Sequence, residues 1–374
     1  MVVMRRIRAT KASGHGKRQQ QQQQQGRGRG RRGTAGGRKP SEAAGAVAGA
    51  EGTAARDAVT VHRLNDVVEV GGHRGAAGVS MARREAPELL SGDRLSAMED
   101  ELFASSASIP ALRRFNERLA AVDISSRSSV VGNDRLWSEM CYNLESFNAV
   151  FTSVLLKVQL TIGTTDYANR DRALKSLIQP LGGEYGLSTA SSGMLMSHRE
   201  LFQTFYESIH GAGSMPGLLE RAGSAPEGES FLRTMLGDID TCGAYSSPSP
   251  PSSTSPAGGG YVGAEEQAAY ALGYNLAVEY LASFEKEWLL QSFRALAAKG
   301  IIKSDEVDWE FLEIHAEGEK EHASLGHDAV VAMVGERHVP LLRKAMADHD
   351  REFAAYYDFL TSLLVPAVGH DAAF

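Results

Sequence analysis

The sequence predicts an all-α fold, one multi-helical domain behind a disordered N-terminal arm. Three observations carry this. From about residue 93 onward, apolar residues recur with a period near 3.6, the repeat of one buried helix face. No convincing two-residue alternation, the mark of a half-buried strand, appears. Before residue 60 the chain is low in complexity and has too little apolar surface to offset the entropy of ordering it.

The arm and linker occupy residues 1–92. Gln19 to Gln25 are seven consecutive glutamines, and Gly-Arg alternation follows from Gly26 to Arg32. Residues 1–41 hold twelve Lys/Arg and no acid; taking those twelve from the net −7 leaves −19 on the rest. A basic tail thus precedes an acidic body, and the globular part is disfavoured as a nucleic-acid binder. The opening, MVVMRRIRAT, suits an organellar targeting peptide or a basic arm that touches RNA or acidic surfaces. The expected location is intracellular, cytoplasmic or organellar. No run of about 18 apolar residues exists, so no membrane-spanning helix is expected. Two cysteines, Cys141 and Cys242, exclude a disulfide framework and a Cys-rich zinc site.

The helical domain is expected over 93–366, with a short tail at 367–374. Its helices are placed near 94–104, 109–122, 133–160, 166–179, 197–210, 227–238, 263–299, 304–330, 336–346 and 348–364. Ser108 before Pro110 reads as a helix cap with proline in the first turn. Gly211 and Gly300 read as stops. The stretch 241–260, TCGAYSSPSPPSSTSPAGGG, is a Ser/Pro/Gly insertion that no helix crosses.

The most informative segment is WEFLEIHAEGEKEHASLGHD, residues 309–328. His315, Glu319 and His322 fall at about 0°, 40° and −20° on a helical wheel, one above another. Glu317 and Glu321 fall on the opposite side. Phe311 and Leu325 lie on or near the His face, which should therefore point inward. Two imidazoles and a carboxylate facing a core are costly unless paired or ligating, and they suit a metal that accepts nitrogen and oxygen donors.

In SHRELFQTFYESIH, His198 shares a face with Leu201, Phe202, Phe205 and Ile209; a core histidine would look the same. Upstream, LIQPLGGEYG places Glu184 among glycines that permit close backbone approach. In ALGYNLAVEYLASFEKEW, Glu279 shares its face with Leu272 and Leu276, while Glu285 points elsewhere and Glu287 is a backup. Three carboxylates and three imidazoles from several helices make the ligand set of a dinuclear non-haem iron site, with manganese fitting nearly as well.

Three pieces carry a family resemblance: GGEYG followed by SHRELF, then ALGYNLAVE, then FLEIHAEGEKEH. They resemble the haem-oxygenase-like diiron oxidases and oxygenases, also described as iron-containing redox enzymes. The third piece matches a ligand helix usually written His-x3-Asp/Glu-x2-His. Over roughly residues 130–330 the resemblance implies a bundle like those of haem oxygenase and the thiaminase-II proteins, holding two irons and no haem. The implied ligands are Glu184, His198, Glu279, His315, Glu319 and His322. An extra carboxylate from an earlier helix would be Glu145, with Glu139 as its rival. The implied activity is O2-dependent oxidation of a small amine, amino acid or fatty-acid-like molecule, with an electron donor; a homodimer is compatible. A pocket lined by Phe202, Phe205, Tyr206, Tyr274 and Leu276 is expected. The sequence departs from the pattern in Glu319 where Asp is common, in the long Glu184-x13-His198 gap, and in the Ser/Pro/Gly insertion.

Two other readings compete. Glu207-x2-His210 and Glu319-x2-His322, with Glu145 and Glu279, imitate a ferritin-like diiron bundle; on the wheel, Glu207 lies about 180° from His198. A non-catalytic interaction protein on the same scaffold is the other.

Overall fold

The computed structural model describes residues 88–187, 195–222, 225–246 and 262–364. The basic arm, most of the Ser/Pro/Gly insertion and the C-terminal tail lie outside the described residues. Within them the protein is an all-α, multi-helical bundle with no strand beyond one isolated bridge, Leu89 to Gly335. The helices are α1 (Gly92–Ala104), α2 (Ser108–Ala121), α3 (Asp134–Gln159), α4 (Tyr167–Glu184), α5 (His198–His210), α6 (Ser214–Ala222), α7 (Pro226–Thr241), α8 (Ala264–Ala298), α9 (Glu310–Met333) and α10 (Val339–Leu363). No helix among the described residues is long and apolar enough to cross a membrane.

The bundle is organised around α8. Every residue from Ala268 to Glu279 is buried, so this stretch is enclosed on all sides rather than amphipathic. It packs against α9, α10, α2 and α3, and α9 in turn packs against α4 and α5. Gly273 lets α8 and α10 touch: a Cβ there would lie 2.7 Å from the Leu342 carbonyl oxygen. Trp137 of α3 anchors a second aromatic layer, with its indole nitrogen donating to the Val130 carbonyl at 2.9 Å.

Several elements differ from their sequence-based placement, and α6 falls where the sequence reading places no helix. Helix α4 continues through Pro180 to Glu184, although the proline forfeits the bond to the Ser176 carbonyl. Helix α9 starts at Glu310, because residues 304–309 are a turn and irregular chain. The two helices expected at 336–346 and 348–364 are one helix, Val339–Leu363, with Glu336–His338 a short 3-10 turn before it and Asp348, His349 and Asp350 buried along its length. Ser108 does not cap α2 with its side chain. Asp350 does so across the bundle, accepting from the Ala107 and Ser108 backbone N–H groups at 2.8 and 3.2 Å and from the Ser106 hydroxyl. Gly211 and Gly300 do stand at helix ends, at φ 101° and 73°. Glu88 to Leu90, inside the stretch read as linker, is extended and bonded to Val334 and Glu336.

Candidate metal centre

Glu184 is the last residue of α4, and His198 is the first residue of α5. The connection between them is tight at its base. Gly186 takes φ 71°, and Leu195 N donates to the Gly186 carbonyl at 2.9 Å; a Cβ on Gly186 would collide with the Leu195 carbonyl. Ser197 and Glu200 form a reciprocal capping box at the start of α5, which fixes the position of His198. The long Glu184-x13-His198 gap is thereby closed, and Glu184 Oε2 meets His198 Nδ1.

The other four candidates come from two helices in contact. Glu279 sits mid-way along α8. His315, Glu319 and His322 lie along the inward face of α9, with Glu317 and Glu321 exposed on its far side, as the helical wheel predicts. The six residues assemble as two triads. In each of Glu184/His198/His315 and Glu279/Glu319/His322, ligand-type atoms all lie within 4.8 Å of one another. The triads adjoin: the His198 and His315 rings are 4.2 Å apart, and the charge of Glu184 bears on Glu279, His315, Glu319 and His322. In the second triad His322 Nδ1 lies 3.3 Å from Glu319 Oε2 and 3.9 Å from Glu279 Oε2.

Electrostatics set the protonation of this group. Burial drives the Glu279 carboxyl well above the ordinary range, reinforced by Glu319 and opposed by His322. Burial also opposes the ionised form of Glu184, but the neighbouring histidines and the His198 hydrogen bond outweigh it and hold the carboxyl near about 2. Burial is likewise outweighed at Glu319, which is lowered by the His322 hydrogen bond and charge and by Lys286. His315 is pushed down to about 4 by burial and by His198. His322 is raised to about 9, because its carboxylate partners outweigh the burial that would lower it.

The residues fit a metal. Both carboxylate oxygens of Glu279 and the Nε2 of His198 are buried with no hydrogen-bond partner among the described residues. An unpaired buried carboxylate costs several kcal/mol of desolvation, of order 2–7 even for a neutral polar group, unless something coordinates it. The Nδ1 of His315 faces the Phe311 carbonyl one turn back. That contact selects the tautomer whose Nε2 carries the free lone pair a metal needs. The donors are three carboxylates and three imidazoles with no thiolate, which suits iron or manganese.

Around the first triad stands an aromatic wall. His198 stacks on Phe311 at 5.3 Å, and Phe202 and Phe205 close on the same ring at 5.4 and 5.8 Å. Phe202, Phe205 and Tyr206 also pack on Trp137. Tyr274, expected beside them, instead donates its hydroxyl to Glu352 Oε2 at 2.5 Å.

The remaining candidates lie elsewhere. Glu145 does not join the triads; it is exposed and pairs with Arg199 at 2.7 Å. Its rival Glu139 is fully buried but satisfied, capping α7 through the Glu227 and Gly228 N–H groups and pairing with Arg135. Glu287 pairs with Lys320 at 3.2 Å. Glu207 and His210 belong to neither triad: Glu207 accepts from Gln203, and His210 stacks on Tyr206. Sequence reasoning missed the surroundings of Glu285, which is buried and pairs with the equally buried Lys286. The available signal was spacing, since Lys286 follows Glu279 by two helical turns on the same face.

No family model matches the chain, and no curated protein matches it. Among solved structures, a crystal structure described as a CADD-like protein of unknown function, from Nostoc punctiforme PCC 73102, is similar at a TM-score of 0.48 and 13% identity. The match covers 72% of this chain and 97% of that one. The centre therefore rests on its own geometry.

Proposed function

We propose that the protein is a non-haem diiron oxidase or oxygenase that uses O2 and an electron donor to oxidise a small organic molecule, with manganese as the alternative metal. Glu184, His198 and His315 would hold one ion, and Glu279, Glu319 and His322 the other. The observation that carries the reading is Glu279, enclosed in the middle of α8 with neither oxygen bonded. Two such ions would supply the binding and reduction of O2.

The chain's own residues set the conditions. The α8–α9 contact buries Glu279 and Glu319, and the aromatic wall covers the first triad, so charges there are screened less than in water. The His315–Phe311 contact keeps one imidazole in the ligating tautomer. His322, protonated in the metal-free protein and so carrying a proton on each ring nitrogen, would lose one of them on ligation. Amines, amino acids and fatty-acid-like molecules are the substrate classes of first choice, by the family resemblance.

Whole-protein metal analysis after anaerobic iron loading tests the reading, with about two irons per chain expected. His315→Ala should empty the first triad and His322→Ala the second, each lowering iron stoichiometry while the helical circular dichroism persists. Unchanged stoichiometry in both variants sinks the assignment, and near-zero metal in the native chain favours a non-catalytic scaffold. An ultraviolet–visible trace after O2 addition, with and without substrates of the three classes, then tests turnover.

A further inference from the structure

Lys286 follows Glu279 by seven residues on α8, about −20° away on the wheel. Helical side chains lean toward the N-terminus, which carries its ammonium back toward the carboxylate. The side chain is 1% exposed. Its positive charge bears on both His315 and Glu319, one from each triad. It also lies 5.7 Å from the centre of the Phe147 ring, and Phe147 in turn lines a small cavity with Asn143, Val278, His349 and Phe353.

The ammonium is fixed. Its Nζ donates to Glu285 Oε2 at 2.7 Å, and Glu285 Oε1 accepts from the buried Tyr357 hydroxyl. An ammonium has three N–H donors, and one hydrogen bond accounts for one of them among the described residues. A buried cation with spare donors thus stands beside residues suited to collecting cations. Charge arithmetic gives this a purpose. Three carboxylates against two divalent ions leave one positive charge, and Lys286 with Glu285 cancel each other. One monoanion would complete the centre.

We propose that Lys286 is the anion-binding residue of this centre, holding the carboxylate of an organic ligand by charge-assisted hydrogen bonds. The inference rests on the metal reading above. Hydrogen bonds to charged groups contribute enough to shift affinity roughly 10- to 100-fold.

The test titrates acetate into the cobalt(II)-loaded full chain and follows the visible cobalt bands. Acetate should perturb them, and the uncharged isostere acetamide should bind at least roughly tenfold more weakly. Lys286→Met alone would leave Glu285 buried without its counter-charge, so it is combined with Glu285→Gln. The double variant should keep its cobalt and its helical dichroism and lose acetate affinity roughly 10- to 100-fold. Glu285→Gln alone, which keeps the ammonium, should retain acetate binding. The inference is overturned if the double variant binds acetate as the native chain does. It is equally overturned if acetamide matches acetate in the native chain, a comparison that needs no variant. A native chain that takes up no cobalt overturns the metal reading, and this inference with it.

Discussion

Two parts of the interior bury carboxylates and treat them in opposite ways. Along α7 and α10 the buried aspartates are answered. Asp238 accepts from the Ser246 N–H and hydroxyl at 2.9 and 2.6 Å. Asp348 accepts from the Tyr270 hydroxyl at 2.8 Å, from Arg351 at 2.9 Å and from Lys344. Asp350 closes the start of α2. Between α8 and α9, by contrast, Glu279 has no donor on either oxygen. The first group explains itself as architecture, since each acid removes unsatisfied donors elsewhere. The second makes no such contribution, and its cost marks it as a site that something else must complete.

The largest effect that would break this contrast is expected at Glu279. Glu279→Leu should abolish metal uptake by the second triad while stabilising the metal-free protein by about 1–3 kcal/mol, read by urea unfolding. A metal-free variant less stable than the native chain would mean Glu279 has a structural partner. Asp350→Ala should do the reverse. It should cost about 2–4 kcal/mol, since three donors lose their acceptor, and leave metal stoichiometry unchanged.

Between these regions Gly273 keeps α8 against α10. Gly273→Ala should cost about 1–3 kcal/mol by forcing the helices apart, visible as a lower urea midpoint. Metal affinity should climb with pH, because Glu279 and His322 hold protons in the metal-free centre that ligation expels. The share of the climb that belongs to His322 should end above about pH 9, where it has lost its proton unaided. Isothermal titration in buffers of different ionisation enthalpy would count the protons released. The smallest effect is expected at Glu145, whose surface pair with Arg199 contributes under about 0.5 kcal/mol, so Glu145→Ala should change neither stability nor metal content appreciably.

Much of this was legible in the residue order. Helix period alone located most helices, because each buries a face whose spacing is local. The inward set His315, Glu319, His322 could be read from a wheel for the same reason. What stayed hidden depended on partners far along the chain. Pro180 is tolerated inside α4 although local rules end a helix there. The sequence reading breaks the last helix at residue 347, yet Asp348 and Asp350 beside that point take donors from residues 106–108 and 270 as well as from α10 itself. Glu145 and Glu139 looked equally eligible on α3, and only the tertiary placement of Arg199 and of the α7 N-terminus assigns them other work.

Glu184 and His198 sit at the tips of two helices, whereas Glu279, Glu319 and His322 are set into the middles of theirs. Helix tips come loose at far smaller energetic cost than helix middles. The two halves of the centre should therefore be unequal: one a rigid seat that fills first and empties last, the other a looser one whose loading reports whether the last turn of α4 and the first turn of α5 are in place.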